Sequence, residues 1–117
     1  MLFLCYPKCT TCKKAEKWLK ENHLEYETRN IKEENPRFEE LKEWYERSGL
    51  DIKKFFNTSG NLYKEQELKD KLPSMSDEDK LRLLATNGML VKRPVLITEE
   101  IVLVGFKEEH WRSCLIK

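Results

Sequence analysis

No apolar run in this 117-residue chain approaches the length of a membrane span. The amino terminus lacks a charged segment leading into an apolar stretch of signal-peptide length, so a cytoplasmic protein is expected. An excess of charge of one sign is missing too. Lys and Arg number 22 against 21 Asp and Glu, a formal net charge of +1, which supplies neither the basic field of direct nucleic-acid binding nor an acidic tail. There is no internal repeat and no low-complexity linker, and the length suits one domain, 1–117, with one real core. Histidine is scarce: His23 and His110 stand alone, at spacings that point to neither a metal nor a base.

What is present is Cys9-Thr10-Thr11-Cys12, a C-x-x-C between a short apolar strand and a helix. Leu2 to Tyr6 reads as a buried strand that Pro7 and Lys8 end. From Thr10 the period becomes helical, with Cys12, Ala15 and Leu19 on one face, Trp18 beside them, and Lys13, Lys14, Lys17 and Lys20 on the other. Cys9 then stands where free backbone N–H groups and the positive end of the helix dipole favour an anion. In such a setting a cysteine pKa falls from about 8.5 toward roughly 3.5–7.5. A structural zinc would need four ligands, and Cys5, Cys114, His23 and His110 offer no second paired spacing. A competing reading makes the cysteines inert core residues; it suits Cys5, Cys114 and in part Cys12 better than Cys9. In a reducing compartment all four are expected to be thiols at rest, which makes redox chemistry the natural use of the C-x-x-C.

The order of elements reads strand, helix, strand, several helices, two strands and a final helix, an α/β or α+β arrangement. Tyr26 to Ile31 is the second strand, and its helical connection to the first predicts parallel pairing. Asn35-Pro36 reads as N-cap and first helical position of a helix that buries Phe38, Leu41, Trp44 and Tyr45 and stops at Ser48-Gly49. Leu50 to Phe56 suggests a further short helix. Ser76 caps another, running through Leu81, Leu84 and Ala85 to Asn87-Gly88, with the glycine expected left-handed at C′. Val95 to Thr98 and Ile101 to Val104, around Glu99-Glu100, read as a hairpin without the preferred turn residues. Pro94 marks either the first position of a strand or a cis bond. By themselves, Lys92 and Arg93 read as solvated charges.

Tyr6 to Ala15, the Asn35-Pro36 helix start and Lys92-Arg93-Pro94-Val95, in this order, resemble the arsenate reductase/Spx family over nearly the whole chain. The resemblance implies a thioredoxin-like fold: a mixed four-stranded sheet with flanking helices and a helical insertion, here about 36–88. It places the nucleophile on Cys9, the arginine before the family's cis-proline on Arg93, and that proline on Pro94. Lys8, Thr10, Thr11 and Pro94 become the expected substrate-lining residues. Arsenate reductases of this kind carry three arginines around the oxyanion. Only Arg93 matches, because neither Phe55 to Ser59 nor Val104 to Phe106 contains an arginine. Losing two guanidinium forks removes several charge-assisted hydrogen bonds, each worth about 1.5–3 kcal/mol, from a dianion site.

The expected activity is therefore an arsenate reductase-like thiol–disulfide oxidoreductase. Cys9 attacks an oxidised sulfur in preference to an oxyanion, Arg93 stabilises negative charge, and Cys12 resolves the mixed disulfide. No tightly bound cofactor is expected; glutathione, a glutaredoxin or a thioredoxin would be the reductant. The alternative from the same resemblance is an Spx-type redox regulator that binds the C-terminal domain of the RNA polymerase α subunit. Against it, the family's contact glycine falls near Asp51 and its redox-sensing arginine near Ser59.

Overall fold

The computed structural model describes residues 1–116. Four strands form one sheet in the order β2-β1-β3-β4, with β1 (Leu2–Cys5) and β3 (Val95–Ile97) central and β2 (Glu27–Asn30) and β4 (Val102–Val104) at the edges. The placement follows composition. Central strands covered on both faces read as unbroken apolar runs, as Leu2-Phe3-Leu4-Cys5 and Val95-Leu96-Ile97 do, whereas Glu27-Thr28-Arg29-Asn30 tolerates an edge. β2 runs parallel to β1, as its helical connection predicts; β3 is antiparallel to β1, and β4 to β3.

The pleat divides the core in two. Phe3, Cys5, Leu96 and Leu103 pack with Cys12, Ala15, Trp18 and Leu19 of α1 (Thr10–Glu21) and Trp111 of α6 (Glu108–Leu115). Leu4, Val95, Ile97 and Val102 face the other way, onto Leu41 and Trp44 of α2 (Phe38–Ser48) and Leu81 and Leu84 of α5 (Asp77–Leu84). Between α2 and α5 the chain passes through a 3-10 turn at Ile52–Phe55, α3 (Asn61–Glu65), α4 (Leu68–Lys71) and a second 3-10 turn at Leu72–Ser74. The segment Leu50 to Phe56 is thus 3-10 where a short helix is expected.

Three details depart from the sequence reading. Asn35 does not cap α2. Its side-chain amide is turned to the carbonyl of Ala85 at 2.8 Å, so the helix starts two residues later, with Arg37 at the N-cap and the Glu40 carboxylate accepting its backbone N–H at 3.0 Å. Gly88 is not a left-handed C′ residue. It opens a 3-10 turn, Gly88–Leu90, and lies so close to β2's exit that a Cβ there would stand 1.7 Å from the carbonyl oxygen of Ile31. Glycine is needed for close approach, not for φ. In the hairpin, Thr98 substitutes for turn glycines: its hydroxyl accepts the N–H groups of Glu100 and Ile101 at 3.1 and 2.9 Å. Gly49, by contrast, ends α2 where expected and does so in the left-handed conformation, and Ser76 caps α5 through the N–H of Asp79.

Arg29 ties the sheet to these helices. From β2 it grips both oxygens of Glu40, at 2.7 and 3.0 Å, and donates to the carbonyls of Glu34 and Asn35 at 2.8 and 3.2 Å. The hydrogen bonds from Arg29 hold the Glu40 carboxyl down at about 2, against the opposing effect of burial. A carboxyl held below its unfolded value contributes stability above about pH 4.3 and loses it as pH falls through the folded value. The pair is mostly shielded from solvent, and a shift of this size corresponds to about 3 kcal/mol at neutral pH. Glu40→Gln should therefore lower the urea midpoint at neutral pH and flatten the loss of stability between about pH 5 and 2. Urea titrations of both proteins across that range check this.

Candidate thiol site

The site forms at one end of the sheet because of strand direction. β1 ends there, and β3, running the other way, begins there, so the residues just after β1 and just before β3 meet. The turn after β1 closes with the Cys9 N–H on the carbonyl of Tyr6 at 2.9 Å, and Cys9 becomes the N-cap of α1 with extended backbone. No acidic residue occupies the first turn of that helix, so its positive end is uncompensated. Cys9 is half-buried; Lys8, Thr10 and Thr11 around it are exposed. Cys12, one turn on, is 3% exposed and accepts the backbone N–H of Tyr6 on its sulfur at 3.4 Å.

Arg93 completes the site, and here the reading of solvated charges holds for Lys92 alone. Lys92 is exposed, but Arg93 is half-buried, with its guanidinium 5.5 Å from the centre of the Tyr6 ring and 3.6 Å from the Met89 sulfur. The peptide between Arg93 and Pro94 is cis. The Pro94 carbonyl accepts the N–H of Gly105 at 2.8 Å, fixing the end of β4 against the same corner. The segment beginning at Phe55 is laid alongside: Phe56 bridges Val91, Asn57 N–H donates to Leu90, and Lys92 N–H donates to Phe55, both at 2.8 Å. The segment from Asn57 to Ser59 carries no guanidinium.

The two thiols have opposite electrostatics. Burial alone would raise Cys9, but the Cys12 N–H, the Cys12 thiol and the Arg93 guanidinium together hold it below the ordinary value. Burial pushes Cys12 up to about 12, and Cys9 adds to this. The arrangement offers one accessible, easily ionised sulfur and one protected, protonated sulfur a helical turn away. Among the described residues no group of three or more His, Cys, Asp and Glu side chains could hold a metal ion, and no helix is long and apolar enough to cross a membrane. Sequence reasoning missed Tyr6 and Met89, which position Arg93. Nothing in their spacing marks them, since one belongs to a strand run and the other to a 3-10 turn.

A mixed four-stranded sheet with a C-x-x-C at the start of the first helix and a cis-proline before the third strand defines a thioredoxin-like protein with a thiol site. More narrowly, the chain belongs to the ArsC family, whose family model matches residues 4–114. It is 60% identical to a solved structure from Bacteroides fragilis described as ArsC family related, over 96% of this chain and 94% of that one, with a TM-score of 0.94. A structure from Streptococcus mutans described as a possible arsenate reductase is 42% identical, covering 91% and 90% of the two chains, with a TM-score of 0.85. The global transcriptional regulator Spx 1 of Bacillus cereus is 32% identical over 109 residues, 93% of this chain and 82% of that protein.

The Arg93 guanidinium helps hold Cys9 below the ordinary thiol value, so Arg93→Met should move the alkylation-rate profile of Cys9 to higher pH. An unchanged profile would leave the Cys12 N–H and thiol as the cause. Iodoacetamide kinetics on wild type and variant make the comparison.

Proposed function

We propose that this protein is a thiol–disulfide oxidoreductase that uses Cys9 and Cys12 as its redox couple. The observation that carries the reading is the pairing of an accessible, Arg93-facing Cys9 at a helix N-terminus with a buried Cys12 one turn away. The Cys9 thiolate attacks one sulfur of an oxidised substrate. A Cys9–substrate disulfide forms, and the other sulfur leaves with the electron pair. Cys12 then attacks Cys9, its proton passing to the departing substrate sulfur, which leaves as a thiol, and a Cys9–Cys12 disulfide remains. Once Cys9 is bonded to substrate it no longer carries the charge that helped keep Cys12 protonated, and the Tyr6 N–H is placed to stabilise the Cys12 thiolate. Glutathione, a glutaredoxin or a thioredoxin restores the dithiol. With one arginine at the site, a disulfide or glutathionylated sulfur suits it better than a dianionic oxyanion.

Thiol trapping with intact-mass detection in graded glutathione buffers tests this. Wild type should lose two hydrogens reversibly, Cys9→Ser should lose exchange activity, and Cys12→Ser should stop at a mixed disulfide with glutathione. Four thiols that never pair would sink the two-cysteine mechanism.

The identity to Spx 1 across most of the chain supports a second reading, a redox regulator acting through the RNA polymerase α subunit. Specific retention by the isolated α C-terminal domain, altered by oxidation, is its expected signature. The resemblance puts that branch's contact glycine near the exposed Asp51, whose carboxylate caps the 3-10 turn at Ile52–Phe55, and this weighs against it.

A further inference from the structure

A third cysteine lies under the same helix. Cys5 ends β1 on the α1 face, 8% exposed, in the buried cluster that holds Cys12 and Ala15 and has Cys9 at its margin. Its distance to Cys12 is bounded by a hydrogen bond. The Tyr6 N–H reaches the Cys12 sulfur at 3.4 Å. Backbone geometry sets Tyr6 N about 2.4 Å from Cys5 Cα, so the Cys12 sulfur lies within about 6 Å of that atom. Cys5 and the Cys12 sulfur thus share one corner of the buried cluster, and a disulfide between the two residues needs their Cα atoms to stand about 4.4–6.8 Å apart. Burial first, then Glu16 and Cys9, hold the Cys5 thiol above its ordinary value, so it stays protonated while the site is reduced.

We propose that Cys5 is a third redox thiol, which takes over the disulfide from Cys9 by attacking Cys12 and so moves the bond to the buried Cys5–Cys12 pair. The proposal rests on the Cys9–Cys12 couple proposed above. In the step, the Cys5–Cys12 bond forms and the Cys9–Cys12 bond breaks, with the electron pair leaving on Cys9, whose sulfur takes up the proton that the Cys5 thiol gives up. The protein remains oxidised by two electrons throughout, so no further oxidant or reductant takes part. The direction follows from leaving-group quality, because the better-stabilised thiolate departs faster. Departing Cys9 meets Arg93 and the open end of α1, whereas expelling Cys12 would place the charge in the apolar cluster. The consequence is an oxidised protein whose nucleophile is free again and whose disulfide is shielded from reductant.

The chain is suited to the test, since Lys8 separates Cys5 from Cys9 and Lys13 follows Cys12. Trypsin therefore keeps a Cys9–Cys12 disulfide inside one peptide and makes a Cys5–Cys12 disulfide join two. Wild-type protein is oxidised with one equivalent of diamide, quenched in acid at successive times, blocked with N-ethylmaleimide, digested and sequenced by mass spectrometry. The expected result is early intrapeptide disulfide followed by the joined pair, with the maleimide on Cys9 and none of the joined species in Cys5→Ser. An intrapeptide disulfide that persists unchanged would overturn the proposal and leave the Cys9–Cys12 couple standing. Joined peptides carrying the maleimide on Cys12 would overturn it too, by making Cys5 the resolving thiol. Absence of any disulfide would overturn both the proposal and the couple it rests on.

Discussion

The geometry of the site depends on how the end of β1 is joined to the start of α1. β1 is held in register by a strand on each side, so the point at which the chain leaves the sheet is fixed. The turn that follows is closed by the Cys9 N–H on Tyr6, and the helix is pinned back to the strand by the Tyr6 N–H on the Cys12 sulfur. A hydrogen bond to sulfur is weak by itself. Its value lies in what it fixes: a polar N–H in a dry corner is satisfied, and the first turn of α1 is set at one height above the sheet. With that turn fixed, Cys9 falls at the N-cap and Cys12 inside, and the difference between the two thiols follows.

The second determinant is strand polarity. Because β3 runs antiparallel to β1, the residue ahead of β3 arrives where the residue behind β1 departs. Arg93 is brought to Cys9 in this way, and Tyr6 and Met89 give its guanidinium one direction to point. An arginine stacked on an aromatic face and held at its edge loses less freedom on meeting an anion than a solvated one. On the far side of the sheet, the Arg29–Glu40 pair and the approach of Gly88 to Ile31 fasten the helical stretch to the exit of β2, and the bridge between Phe56 and Val91 lays that stretch beside the path to Arg93. The helices between β2 and β3 thus bear on the site through backbone contacts while contributing no charged side chain to the thiol.

Much of this was legible in the amino-acid sequence. The apolar runs at Leu2 to Cys5 and at Val95 to Ile97, the helical period of α1 and the caps at Gly49 and Ser76 are set by nearest neighbours, and each stands where the pattern puts it. The cysteine at the mouth of the first helix was equally plain, because capping and strand-to-helix punctuation are local. What misled were residues with a distant partner. Asn35-Pro36 has the composition of a helix start, but the Asn35 amide belongs to Ala85; Asn87-Gly88 has that of a helix stop, but the glycine is there for Ile31. Local propensity is a small term, and one buried hydrogen bond or backbone contact outweighs it.

By itself, then, the sequence determined the order of the strands and of the longer helices, and the place of Cys9 at a helix N-terminus, since these depend on side chains within a turn or two of one another. Only the tertiary structure decided that Arg93 faces Cys9 while Lys92 beside it is exposed, that Cys12 is sealed from solvent, and that Cys5 lies beneath it. Those relations join residues brought together by sheet register and by packing of α1 on β1. A charge or a thiol takes its properties from what stands beside it in space, and spacing along the chain does not carry that information.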